Sequence, residues 1–207
     1  VSGHNPCVVC PSSDAMAIYE DEDKGSHYYV CFSCHQSGVL SGHKPKERKM
    51  IEVPKDIGKI AAIPEWGLTK DTAEKYAVYT SDLAYRFSYV GGFKARKVVE
   101  KEFWTEGKPE GFFGQDKFPA GGKFVTVTEG EGDAMAAYQM LGSRYPVVSL
   151  RLGAGSADKE VKEQFKWLDQ FDKVVFCFDN DVHGHEAARK AAMVFQHKAL
   201  VVKLTRH

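Results

Sequence analysis

The sequence predicts an α/β fold: a mainly parallel sheet with helices on both faces, preceded by a small β-rich zinc ribbon. Three observations carry this. Strand-like and helix-like runs alternate at short intervals from Gly121 onward, two C-x-x-C pairs (Cys7/Cys10 and Cys31/Cys34) crowd the amino-terminal region, and a charged stretch divides the two. Alternation at that spacing means βαβ crossovers, whose helices cover a parallel sheet on both sides.

In chain order, residues 1–43 form the ribbon, its two knuckles flanking a β-rich insert that contains His27-Tyr28-Tyr29-Val30. Four thiolates so spaced suit a closed, structural zinc site, and a segment this short needs the metal because its own core is too small. His35, directly after Cys34, is a spare ligand that four cysteines make unnecessary. The odd cysteine count argues against a disulfide framework. The fifth, Cys177, stands in the apolar run 174–178 and reads as a small buried residue. Residues 44–59 form a charged linker marked by Pro45 and Pro54. Residues 60–120 form a mixed α/β subdomain: a short helix over 69–76 capped by Thr69 or Asp71, then aromatic and β-branched runs flanking Gly91-Gly92 that suggest a hairpin. Residues 121–207 read as strand 124–128, helix 134–141, strand 146–150, helix 157–169, strand 173–178, helix 185–195 and strand 199–204. Ligands in such sheets sit at the carboxyl ends of the strands.

Lys plus Arg number 28 and Asp plus Glu 28, so nucleic-acid binding has to come from local basic segments. One such segment is Arg86, Lys94, Arg96, Lys97, Lys101 and Lys108, interleaved with Tyr85, Phe87, Tyr89, Phe93, Phe103 and Trp104. Together these read either as a phosphate-tracking, base-stacking surface or as an amphipathic hairpin with its rings inward. No apolar run approaches bilayer length and Val1 to Pro6 lacks secretory features, which predicts no membrane association and a cytoplasmic location.

Carboxylates mark two strand ends. Glu129 follows strand 124–128 in Glu129-Gly130-Glu131-Gly132-Asp133, and Asp133 reads equally as a helix N-cap or a site residue. Asp179-Asn180-Asp181 follows strand 173–178, and residues two apart at a strand end can share a divalent ion, Mg2+ or Mn2+, with water or phosphate. A lone D-x-D is common; one beside a glutamate at a second strand end is far more specific. Bound metal at such a place neutralises a triphosphate and activates an attacking hydroxyl, with Glu129 as ligand or general base. The Gly153-Ala154-Gly155-Ser156 turn reads as a phosphate cradle or as a plain strand-to-helix connection. His183 and His185 receive no role.

The runs 125–133, 146–150 and 178–181 resemble the three signature segments of Toprim domains. Joined to an amino-terminal four-cysteine site, they most resemble the primase half of phage bifunctional primase-helicases, as do Phe113-Gly114 and Gly67-Leu68-Thr69. The resemblance covers nearly the whole chain. It implies a Toprim-type catalytic subdomain and template-directed synthesis of short RNA primers. Its implied partners are a single-stranded DNA template, ribonucleoside triphosphates, a replicative helicase (fused or separate) and a DNA polymerase, in a phage-infected bacterial host. It implies a metal-binding cluster of Glu129, Asp133, Asp179 and Asp181, and phosphate or template contacts from Arg96, Lys97 and Lys101, with Lys97 the first choice. Trp66 stands where the family often has a basic residue, and the chain holds no G-x-x-x-x-G-K-[ST] helicase loop. The alternatives are a non-catalytic recombination mediator, which also joins four cysteines to a Toprim domain, and a Toprim nuclease or topoisomerase.

Overall fold

The structure is a computed structural model that describes residues 2–21, 26–40 and 56–204. The chain divides into two compact units, Val1–Ile51 and Glu52–His207, each described by itself. The boundary falls within the expected linker, whose residues 44–55 lie outside the described ones.

The first unit is a four-stranded antiparallel sheet, β1 (Ser2–Asn5), β2 (Met16–Asp21), β3 (Ser26–Cys31) and β4 (Ser37–Leu40), paired in sequence order. Its described apolar core is confined to Met16, Ala17 and Cys31. So small a core cannot hold four strands against chain entropy without help from the cysteines.

The second unit opens with α1 (Lys70–Tyr76), whose N-cap is Thr69: its hydroxyl accepts from the Thr72 amide at 3.3 Å. An antiparallel sheet follows, β5 (Val78–Thr80), β6 (Ala84–Lys97) and β7 (Phe103–Glu110). The hairpin turns at 98–102, not at Gly91-Gly92, which lies inside β6 where the register with β7 shifts. The reason is steric: a Cβ on Gly92 would stand 2.2 Å from the Glu106 carbonyl oxygen, so glycine here permits a bulge and makes no turn.

The parallel sheet comprises β8 (Gly122–Thr128), β9 (Val147–Ser149), β10 (Phe171–Cys177) and β11 (Ala199–Val201), in the order β11-β10-β8-β9. Its helices are α2 (Glu131–Met140), α3 (Ala157–Glu163), α4 (Phe165–Leu168) and α5 (Val182–Phe195). Strand alternation assigns the faces. Val125, Val127 and Val148 pack with Ala157, Val161, Leu168 and Ala188 of α3, α4 and α5, while Val147 packs with Ala134 and Met135 of α2 and with Tyr76, Phe87 and Phe113.

Three expected helices shift. α2 begins at Glu131 and α5 at Val182, each three residues early, and the expected helix 157–169 breaks at Gln164 into α3 and α4. In the first two, the acidic residues themselves organise the helix start. Asp181 caps α5 by accepting from the Gly184 amide at 2.7 Å, and Asp133 accepts from the Gly130 amide at 3.1 Å.

Candidate active site

β8 is the point where the chain reverses direction across the sheet: β9 lies on one side of it and β10 on the other. Ligands in open parallel sheets bind at the carboxyl ends flanking such a switch. Thr128 and Cys177 are register partners, so the segments that leave these two strands carry Glu129 and Asp179 side by side.

Those carboxylates act on one another. Burial, then the charge of Asp179, pushes the Glu129 carboxyl above its ordinary value, against backbone N–H groups of Asp179 and Ala154 that favour its charged form. Burial, then Asp179 again, raises Asp133. Oε2 of Glu129 is buried without a hydrogen-bond partner, a costly state for a carboxylate oxygen that a bound cation would relieve. The residues therefore fit a divalent metal, held by Glu129 and the aspartates, that would neutralise phosphate charge. Gly184 makes the approach possible: a Cβ there would lie 2.2 Å from the Asp179 carbonyl oxygen, so the start of α5 sits directly against the aspartate's backbone.

The amide of Ala154 serves Glu129, and the Gly153 turn, at φ +80, leads into a helix of seven residues. Glu160 holds that turn, its carboxylate accepting from the Arg151 amide at 2.8 Å and the Leu152 amide at 3.0 Å. Ser156 donates its amide to the Gly153 carbonyl at 3.1 Å. The turn is thus braced toward Glu129.

Residues 126–207 match the Toprim-like family. A DNA helicase/primase of Enterobacteria phage T3 is 30% identical over 216 residues, covering 92% of this chain. The chain spans 37% of that relative's length. The chain belongs to the phage-type Toprim primases. The primase fragment of the bacteriophage T7 primase-helicase superposes with a TM-score of 0.68 and 28% identity, over 98% of this chain and 90% of that one. A second T7 structure shows lagging-strand DNA polymerase interacting with primase domains of two gp4 subunits bound to an RNA/DNA hybrid and dTTP. It matches with a TM-score of 0.63 and 30% identity, over 72% of this chain and 82% of that one. The DnaG catalytic core shares the fold at 16% identity and a TM-score of 0.50.

Around the Toprim switch point the basic residues separate. Lys94 is the lysine on the acidic loop: its Nζ lies 2.8 Å from Glu131 Oε1 and donates to the Arg151 carbonyl at 2.8 Å. Tyr89 donates its hydroxyl to the same carboxylate oxygen at 2.6 Å. Lys97, the first choice in sequence, stands at the end of β6 paired with Glu102 at 2.7 Å and Glu100 at 3.1 Å, and Lys101 is exposed. Arg86 is buried, donating its Nε to Glu106 at 3.0 Å. Tyr85, Phe87, Tyr89 and Trp104 are buried as well. The interleaved cluster is therefore mainly core, with Arg96 and Phe103 left beside the site. Sequence reading named Glu131 and Lys94 only in passing and missed Tyr89, Glu160 and Gly184 as supports, because each is recognised by its contact and not by its neighbours in sequence.

In the first unit the Sγ atoms of Cys7, Cys10, Cys31 and Cys34 all lie within 4.8 Å of one another. Cys7 and Cys34 are 3.8 Å apart, as are Cys10 and Cys31. A tetrahedron with metal–sulfur bonds of about 2.3 Å has edges of about 3.8 Å, whereas a disulfide needs about 2.05 Å. The cluster fits zinc. Amides of Cys10 and Val9 bring the Cys7 thiol down to about 6, whereas burial and hydrogen bonds with the other three thiols push Cys34 up to about 12, so the four titrate as a group. His35 stays outside the group, at φ 57 in the turn after the second knuckle. Among the described residues no helix is long and apolar enough to cross a membrane.

Proposed function

We propose that the chain is a DNA primase that joins ribonucleoside triphosphates into short RNA primers on single-stranded DNA, with Mg2+ or Mn2+ at the switch point. The observation that carries this reading is the buried, unpartnered Oε2 of Glu129 between mutually repelling carboxylates. Such a site is poised for a cation and for the phosphates it brings. Bound metal supplies charge neutralisation and activation of the attacking hydroxyl.

The chain's own residues supply position. Glu129, Asp133, Asp179 and Asp181 hold the metal, and the caps made by Asp133 and Asp181 fix their backbones at helix starts. Lys94, anchored on Glu131, presents a cation to nucleotide phosphate at the mouth of the acidic loop. The zinc ribbon engages the template, and the reading takes a replicative helicase and a DNA polymerase as partners within an infected bacterial host.

The test is incubation with magnesium, labelled ribonucleotides and a pool of single-stranded DNA templates, followed by a sequencing gel. Template-dependent oligoribonucleotides are expected. Bound but intact DNA with no RNA would favour a mediator, and cut DNA a nuclease.

A further inference from the structure

Among the described residues two carboxylates are buried, Glu131 at 5% exposure and Glu160 at 3%. A buried carboxylate is costly unless its oxygens are satisfied, so the partners of each say what it is there to hold. Glu131 takes Lys94 and Tyr89. Glu160 instead gives both oxygens to backbone: Oε2 accepts from the Arg151 amide at 2.8 Å and Oε1 from the Leu152 amide at 3.0 Å. An anion that grips two successive N–H groups fixes the peptide planes that carry them.

The two buried carboxylates meet on one residue. The Arg151 amide donates to Glu160, and the Arg151 carbonyl accepts from Lys94 Nζ at 2.8 Å, the same atom that lies 2.8 Å from Glu131. Arg151 is thus held through both of its backbone groups, from α3 on one side and from the acidic loop on the other. Its side chain has no such anchor, since its Nε is buried without a partner. What is fixed here is backbone.

The turn that follows reaches the metal site. Its Ala154 amide serves Glu129, the carboxylate whose Oε2 has no partner. Gly153 makes the bend, at φ +80 and in open space: a Cβ there would meet nothing within 4 Å. The bend has no side chain of its own to wedge it, so the grip on Arg151 and Leu152 fixes the entry to it. We propose that Glu160 is a positioning residue for the metal site: by holding the 151–154 turn it sets the Ala154 amide against Glu129 and leaves Oε2 open to the ion. The role rests on the metal reading given under Proposed function and adds to it a residue of α3 that acts through backbone. It also explains why a carboxylate is kept in the interior of α3 with no function in the helix itself.

The test measures Mn2+ bound by the whole chain, its cysteines saturated with zinc beforehand, from the paramagnetic resonance signal of the ion left free. Glu160→Gln keeps the size of the side chain but can accept from only one of the two amides, with its NH2 group turned on the other. It is expected to weaken Mn2+ about tenfold, as loss of an outer partner of a metal ligand does. Val161→Ala trims the neighbouring core residue of α3 without touching the turn and should bind Mn2+ like the parent. Gly153→Ala strains only the turn, where φ +80 disfavours any side chain, and should weaken Mn2+ in the same direction as Glu160→Gln. The proposal is overturned if folded Glu160→Gln holds Mn2+ like the parent, or if Val161→Ala loses as much, since the effect would then be general loosening of the helix. Should Glu160→Gln not fold, parent-like Mn2+ binding by Gly153→Ala overturns it instead. Asp179→Ala reports on the underlying reading: if it holds Mn2+ like the parent, the metal lies elsewhere and both fall, whereas loss of Mn2+ there with none in Glu160→Gln removes only the role of Glu160.

Discussion

Lys94 and Tyr89 share one oxygen of Glu131, at 2.8 and 2.6 Å, in a place where both carboxylate and lysine are largely withdrawn from water. Removing one member of such a group leaves the other charge unpaired, which costs more than the pair contributes. Lys94→Met is therefore expected to destabilise the second unit by about 3 kcal/mol in urea unfolding. An unchanged midpoint would show that Tyr89 alone satisfies Glu131. The carboxyls of Glu129 and Asp133 are both raised in the folded chain, so the folded state holds protons that the unfolded state has released. Stability from these groups is thus present at low pH and is lost as pH rises through their raised values. Added Mg2+ offsets the repulsion, so it should raise the melting temperature more at pH 7 than at pH 5. Equal shifts at both pH values would place the metal elsewhere. The carboxylates were legible in sequence because type and spacing reveal them. Lys94 was not separable from Lys97, since both lie on one strand and only the fold puts Glu131 against one and Glu100 and Glu102 against the other.

At the level of elements, the strand that brings Asp179 and the helix that follows it are joined by a contact only glycine allows. Gly184→Ala inserts a methyl at 2.2 Å from the Asp179 carbonyl oxygen. The expected result is about 1–3 kcal/mol of destabilisation with loss of the Mg2+ effect, although no carboxylate is changed; retention of both would mean that the helix start yields freely. In the ribbon, the described apolar core is small and the four sulfurs lie where one bound metal ion would tie the two knuckles together. Cys31→Ser should abolish stoichiometric zinc and unfold the first unit while the second keeps its own thermal transition. Full zinc content in that variant would contradict the site. The alternating strands and helices of the parallel sheet were readable because short apolar runs such as 146–150 and 174–178 recur between helical segments and turn residues. The hairpin was misplaced because Gly91-Gly92 carries the chemistry of a turn, whereas here those glycines admit the backbone of β7.

For the whole molecule, balanced charge has a consequence that its fold makes intelligible. With no protein-wide positive field, any negatively charged ligand has to be drawn by local cations, and Arg96, whose Nε has no hydrogen-bond partner, is one beside the acidic segment. The proposed function divides the labour between the two units: the four-cysteine ribbon would engage the template and the parallel sheet would carry phosphoryl transfer. The claim at the centre of this account is that Asp179 holds metal for chemistry and does not hold DNA. It is tested most directly by measuring, on one preparation of Asp179→Ala, both RNA product formation on a single-stranded template and affinity for that template. Product should fall by at least about a hundredfold with DNA affinity changed by no more than a few-fold; normal product formation by this variant would contradict the account.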